Sequence, residues 1–194
     1  METQTQLHSN VILIDAEYAD RVAFDLTVNF ERMITRRISV ADLPRWLDCL
    51  ALDGGLRPDE QTVQCLFVYP KDMQRLKCFA PSDFREDLDG KAFSDNMGEF
   101  LLQSVPVESL VTKEDFFCQC LETICNSAEV ERVMVVADME TYGRRVKDIV
   151  AQAEKKDITL FAMQPLMGRG FQQELLGYSL MEALGIRADE LPNV

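Results

Sequence analysis

Val133-Met134-Val135-Val136-Ala137-Asp138-Met139-Glu140 sets five consecutive apolar residues before two acids one residue apart. A short, continuous and largely β-branched run of this kind reads as a strand buried on both faces, the habit of parallel sheets. Val11-Ile12-Leu13-Ile14 repeats the form and closes on Asp15-Ala16-Glu17. Val63 to Tyr69, stopped by Pro70, Phe100 to Val105, and Ile158 to Ala162 supply three more strands.

Helical spacing fills the gaps. Val22/Phe24/Leu26/Val28/Phe30 alternates like a strand, but Val22/Leu26/Phe30/Met33 lines one helical face; length and the strand before it select a helix. Ser39-x-x-Asp42 has the form of a capping box opening a helix through Leu43, Trp46, Leu47 and Leu50, which ends at Gly54-Gly55. Residues 71–97 are acidic and irregular, with room for one helix. Phe116 to Cys125 and the Val146/Ile149/Val150/Ala153 stripe give two further helices. Leu175, Leu176, Leu180 and Leu184 predict an amphipathic helix over 171–184, covered by the protein's own core or by a second copy. Strand–helix alternation of this kind predicts an α/β fold, a mainly parallel sheet of about five strands with helices on both faces. One domain spans residues 1–194, with the C-terminal helix as an extension over 166–194.

Charge narrows the function. Twenty Lys and Arg against 33 Asp and Glu leave a formal charge of −13. Counterion release needs clustered cations, so a broad nucleic-acid-binding surface is excluded, and an anionic membrane surface is disfavoured. Two local basic spots remain, Arg32/Arg36/Arg37 and Arg144/Arg145/Lys147, and solvated helix faces account for both more simply than a ligand does. No secretory signal and no apolar run of membrane-spanning length is visible, so the six cysteines, which form no Cys-x-x-Cys, read as reduced thiols in a cytoplasm.

The single histidine, His8, falls in an N-terminal tail expected to be disordered, so no Ser-His-Asp or Cys-His catalytic pair with an ordered imidazole can be built and a zinc site is disfavoured. Nucleotide-cradling glycine motifs are missing as well. Any chemistry therefore rests on carboxylates. In an open parallel sheet the ligand crevice lies beyond the carboxyl ends of the strands, where strand order reverses. Acids converging there repel unless a cation lies between them, and an all-oxygen shell suits Mg²⁺ or Mn²⁺.

Ile12-Leu13-Ile14-Asp15-Ala16-Glu17, then Lys113-Glu114-Asp115 leading into a helix, then Val135-Val136-Ala137-Asp138-Met139-Glu140, resembles the NYN branch of the PIN-like nucleases over about residues 11–165. The resemblance lies in order, spacing and acid character. Tyr18 stands where the family has Asn, Glu122 is the nearest substitute for its second helix acid, Val136-Ala137 replaces Ser-Gly, Glu140 the second Asp, and Thr141-Tyr142 the Phe. It implies a three-layer, Rossmann-like, PIN-like sandwich and metal-dependent hydrolysis of RNA phosphodiesters. Asp15, Asp115 and Asp138 would hold one or two Mg²⁺ or Mn²⁺, with Glu17 or Glu140 assisting and Arg144, Arg145 or Lys147 facing the phosphates of single-stranded RNA. The simpler reading is that Asp15 and Asp138 cap the helices that follow them and Lys113 pairs with one of them. A PIN-like fold serving as a protein-interaction or regulatory module then replaces the nuclease.

Overall fold

The computed structural model describes residues 6–58 and 61–192. Strand β1 (Asn10–Asp15) leads into helix α1 (Ala16–Ile34), and a two-residue strand β2 (Ala41–Asp42) into α2 (Leu43–Asp53). There follow β3 (Gln61–Pro70), the short β4 (Phe79–Ala80), a single π-helical turn (Phe84–Leu88), β5 (Lys91–Ser94) and β6 (Gly98–Val107). The chain closes with α3 (Lys113–Asn126), β7 (Arg132–Val136), α4 (Gly143–Gln152), β8 (Asp157–Ala162), β9 (Gln172–Leu175), α5 (Leu176–Ala183) and a 3₁₀ turn (Ala188–Glu190).

Seven strands form one mixed sheet in the order β5-β6-β3-β1-β7-β8-β9, every pair parallel except β5 with β6. Two strands thus join the five expected from the sequence, one at each edge. Both are short and polar, Lys-Ala-Phe-Ser and Gln-Gln-Glu-Leu, because an edge strand is not walled in by apolar neighbours and carries no hydrophobic signature. β9 takes its residues from the segment expected to be helical from residue 171, so α5 begins only at Leu176. The capping expectation at Ser39 is corrected too. Asp42 is the N-cap of α2, its carboxylate accepting the Arg45 N–H, and Pro44 stands in the first turn where no N–H is needed.

The period of two along each strand sends alternate residues into two separate cores. Ile12 and Ile14 of β1 belong with Phe67, Phe161, Trp46, Leu47 and residues of α1, α2 and α5. Val11 and Leu13 belong with Leu66, Val135, Phe117, Leu121, Val146 and Val150, from α3 and α4. α5 lies in the first core: Leu176 and Leu180 are fully buried, and the Trp46 indole N–H donates to Ser179 Oγ at 3.1 Å. The C-terminal helix is therefore covered by its own chain. Ser179→Ala leaves that buried indole N–H without a partner and is expected to cost about 1–2 kcal/mol, read as a shift of the urea midpoint at unchanged slope.

His8 is part of this architecture, contrary to the expectation of a disordered tail. Its backbone N–H donates to Gln64 Oε1 at 3.2 Å, which holds the entry to β1 against β3.

Candidate functional site

From β1 the chain passes to one side of the sheet, to β3 and then β6. Through α3 it returns to the other side of β1, to β7. Strand order therefore reverses between β1 and β7, and the carboxyl ends of these two strands flank the crevice. Asp15 is the last residue of β1, and Asp138 lies two residues beyond β7.

Asp15 is fully buried and caps α1: its Oδ1 accepts the Tyr18 N–H at 3.1 Å. Its Oδ2 accepts the Tyr142 hydroxyl at 2.6 Å, and the Lys113 ammonium lies 3.2 Å from Oδ1. The same ammonium donates to Glu17 Oε2 at 2.5 Å, so Lys113 is wedged between the acids on either side of Ala16. Burial pushes the Asp15 carboxyl above its ordinary value, against the opposing pull of Lys113 and the hydrogen bonds from Tyr142 and Tyr18. Tyr142, itself packed edge-on against Phe117 at 5.6 Å, has its hydroxyl pKa raised by burial and by the Asp15 charge.

Asp138 is held by a second set of donors. Thr141 gives it both its N–H (3.1 Å, to Oδ1) and its hydroxyl (2.9 Å, to Oδ2), and Arg21 of α1 reaches Oδ2 at 2.7 Å. Burial pulls the Asp138 carboxyl up, but the hydrogen bonds from Thr141 and Arg21 outweigh it and hold it below the usual range. Arg21 also lies over the Tyr18 ring, 5.5 Å from its centre. Burial, then the charges of Asp138 and Glu140, push that phenol up to about 12. Asp138 thus shapes the turn before α4 rather than capping the helix, whose N-cap is Tyr142 with no side-chain cap bond.

The fold brings Asp15, Glu17 and Asp138 into one neighbourhood, with Lys113 from the first turn of α3 between the first two and Arg21 on the third, and pairs Asp115 of that same turn with Arg145. Asp115, half-exposed in the first turn of α3, bonds Arg145 of α4 at 2.8 Å. Thr112 and then Arg145 hold its carboxyl below the ordinary value. Lys147 donates to the Met167 carbonyl at 3.1 Å, Arg144 is exposed, and Glu140 is exposed beyond Asp138. Arg21 was not picked out from the sequence, and Tyr142 only as part of the pair that replaces the family's Phe, without a role at Asp15. Their only signal is position: Arg21 lies six residues beyond Asp15 in the same helix and Tyr142 four beyond Asp138.

The carboxylate oxygens are of the right chemistry for Mg²⁺ or Mn²⁺, yet every oxygen of Asp15 and Asp138 already faces a protein donor. A small hard ion needs near-octahedral oxygens at about 2.1 Å, which these carboxylates supply only by giving up Lys113, Tyr142 or Arg21. The residues as arranged do not fit a resident divalent ion. Three clefts open around the same edge. One of about 500 Å³ is lined by Glu17, Arg21, Phe24, Met73 and Lys77, and one of about 440 Å³ by Pro70, Asp72, Val107 and Lys113. The third, about 390 Å³, includes Tyr69, Met73 and Arg85. Asp20 fixes a wall of the first: its carboxylate accepts the backbone N–H groups of Lys77 and Cys78 at 2.8–3.0 Å.

Residues 4–191 match the family described as Family of unknown function (DUF6621). The chain belongs to the DUF6621 family. No curated protein and no solved structure matches it. None of the helices among the described residues is long and apolar enough to cross a membrane.

Proposed function

We propose that this DUF6621 chain is a three-layer, PIN-like protein that works as a binding module, its carboxylate centre neutralised by its own cations. The observation that carries this reading is Lys113, 3.2 Å from Asp15 and 2.5 Å from Glu17, where a nuclease would need a metal ion. Arg21 does the same for Asp138 at 2.7 Å. A buried acid matched by a lysine and a tyrosine hydroxyl is a structural brace. It leaves the edge clefts, with Phe24 57% exposed beside Arg21 and Met73, as the surface offered to a protein partner. Six free cysteines support a reducing, cytoplasmic setting.

One observation favours the second reading, a Mg²⁺- or Mn²⁺-dependent ribonuclease: Asp15 and Asp138 meet where strand order reverses. In that reading Asp15, Asp115 and Asp138 would bind the metal with Glu17 or Glu140. Arg144, Arg145 and Lys147 would face the RNA. A thermal titration with Mn²⁺ separates the two. A metal binding only the folded state at a hundredfold excess over its dissociation constant stabilises by about 2.7 kcal/mol, a shift of roughly 2–4 °C for this size. The module reading expects no saturable shift at millimolar Mn²⁺ and no cleavage of single-stranded RNA. Cleavage that is lost with Asp15→Asn or Asp138→Asn establishes the ribonuclease instead; a shift abolished by either variant without cleavage gives a metal-binding site retained in a module.

A further inference from the structure

A cleft of about 400 Å³ opens into the second core on the face of the sheet that carries α3. Leu66 of β3 and Val105 of β6 line it from the sheet. Phe116, Cys120 and Ile124 line it from α3, where a spacing of four keeps them on one helix face. Leu7 completes the apolar lining, and one amide fixes it there. Gln64, only 4% exposed, accepts the His8 N–H at 3.2 Å. Its amide nitrogen donates to the Gln6 carbonyl at 3.4 Å and to Gln103 Oε1 at 3.2 Å. The backbone on both sides of Leu7 is thus tied to β3, and the wall it forms is a fixed part of the fold.

None of the described residues that line this cleft is charged, in a chain whose charged residues make up 27%. The three clefts around the carboxylate centre each carry both acids and bases, and they share no lining residue with this one. Gln103, Gln119 and Thr123 are its polar members, and the Thr123 hydroxyl donates to the Gln119 carbonyl at 2.9 Å. Burial pushes the Cys120 thiol up to about 11, so it too is neutral at pH 7.

We propose that this cleft binds an uncharged, chiefly apolar small molecule, an alkyl or aromatic body carrying one neutral polar group such as a hydroxyl. The lining selects against charge: an ionised ligand would give up its water and meet no opposite charge in return. A neutral ligand loses nothing of that kind, and Gln119, exposed on α3, offers its amide to one hydroxyl. Size points the same way. Small-molecule sites span roughly 300–1,000 Å³, and this cleft falls within that range. A stable protein interface is a spread surface of about 800 Å² on each partner, so a cleft of this size takes at most a side chain or two from another protein.

Fluorescence of N-phenylnaphthylamine, an uncharged probe, with the wild-type protein at pH 7 tests this. The probe is expected to bind saturably and to be displaced by decanol. Decanoate and decylammonium, of the same chain length but ionised, should each compete at least about tenfold more weakly. Using ions of both signs separates the lining of the cleft from the net negative charge of the chain, which would favour the cation. Gln119→Lys supplies the missing charge and should improve competition by decanoate about tenfold while leaving decanol unchanged. Cys120→Phe fills the cleft and should abolish probe binding, and Thr123→Trp serves if that variant folds poorly. Absence of saturable binding, an ion that competes as well as decanol, or a Gln119→Lys protein with unaltered decanoate competition would each overturn the proposal. So would probe binding that survives in both filled variants. A dimer in sedimentation velocity that Thr123→Trp disperses would assign the cleft to a second copy of the chain instead.

Discussion

Lys113→Met is expected to destabilise the protein by about 3 kcal/mol at pH 7, because it strands a fully buried carboxylate. The Lys113 side chain is 15% exposed and that of Asp15 0%, so solvent replaces little of what the ammonium supplies. Asp15 keeps its hydrogen bonds from Tyr18 and Tyr142 but loses the ammonium 3.2 Å from its Oδ1. The loss depends on pH with a definite sign. Burial already raises the Asp15 carboxyl, and removing the lysine raises it further, so the variant gains a proton on folding. Its deficit should therefore shrink as pH falls from 7 towards 4. Adding Asp15→Asn should recover most of the loss, since asparagine still caps α1 and accepts from Tyr142. Urea unfolding of the single and double variants at both pH values measures this. A Lys113→Met protein as stable as its parent would show that the ammonium is dispensable, and the argument for an internally neutralised centre would fail with it.

Gly98→Ala is expected to cost about 3 kcal/mol or more through backbone geometry alone. Gly98 opens β6 opposite Gln61 with φ at +141°, a region closed to residues with a Cβ. A Cβ there would lie 2.0 Å from the Gln61 carbonyl oxygen and 2.9 Å from its carbon, so the first parallel pair of β3 and β6 must part. Gly90→Ala is the control. It also has positive φ, +69°, but nothing lies within 4 Å of its added Cβ, and it should cost only about 1 kcal/mol. Equal losses for the two variants would place the effect in conformation rather than in the close approach of the strands.

The central strands were legible because each is enclosed on both faces, which forces continuous apolar runs such as Val11–Ile14 and Val133–Ala137. β5 and β9 were not, because an edge strand joins the sheet largely through backbone hydrogen bonds and a single apolar side chain such as Phe93, stacked on Phe100, makes no periodic pattern. The helix expected from residue 171 gave up its first turn for the same reason: Gln172–Glu174 are exposed and pair with Thr159–Phe161, a partner no local pattern announces.

At the candidate site, the sequence by itself determined that two acids follow two buried strands, since a strand that ends in the crevice must return its chain to water there. It also allowed that Asp15 caps a helix and pairs with Lys113, as it does. Only the tertiary structure decided which cation meets which acid. Arg21 and Asp138 are 117 residues apart, Tyr142 and Asp15 127, and Arg145 bonds Asp115 across two helices. Burial and periodicity are local and so are written into composition. Charge pairing depends on distances of a few ångströms between remote segments, and those distances exist only after the sheet has set strand order.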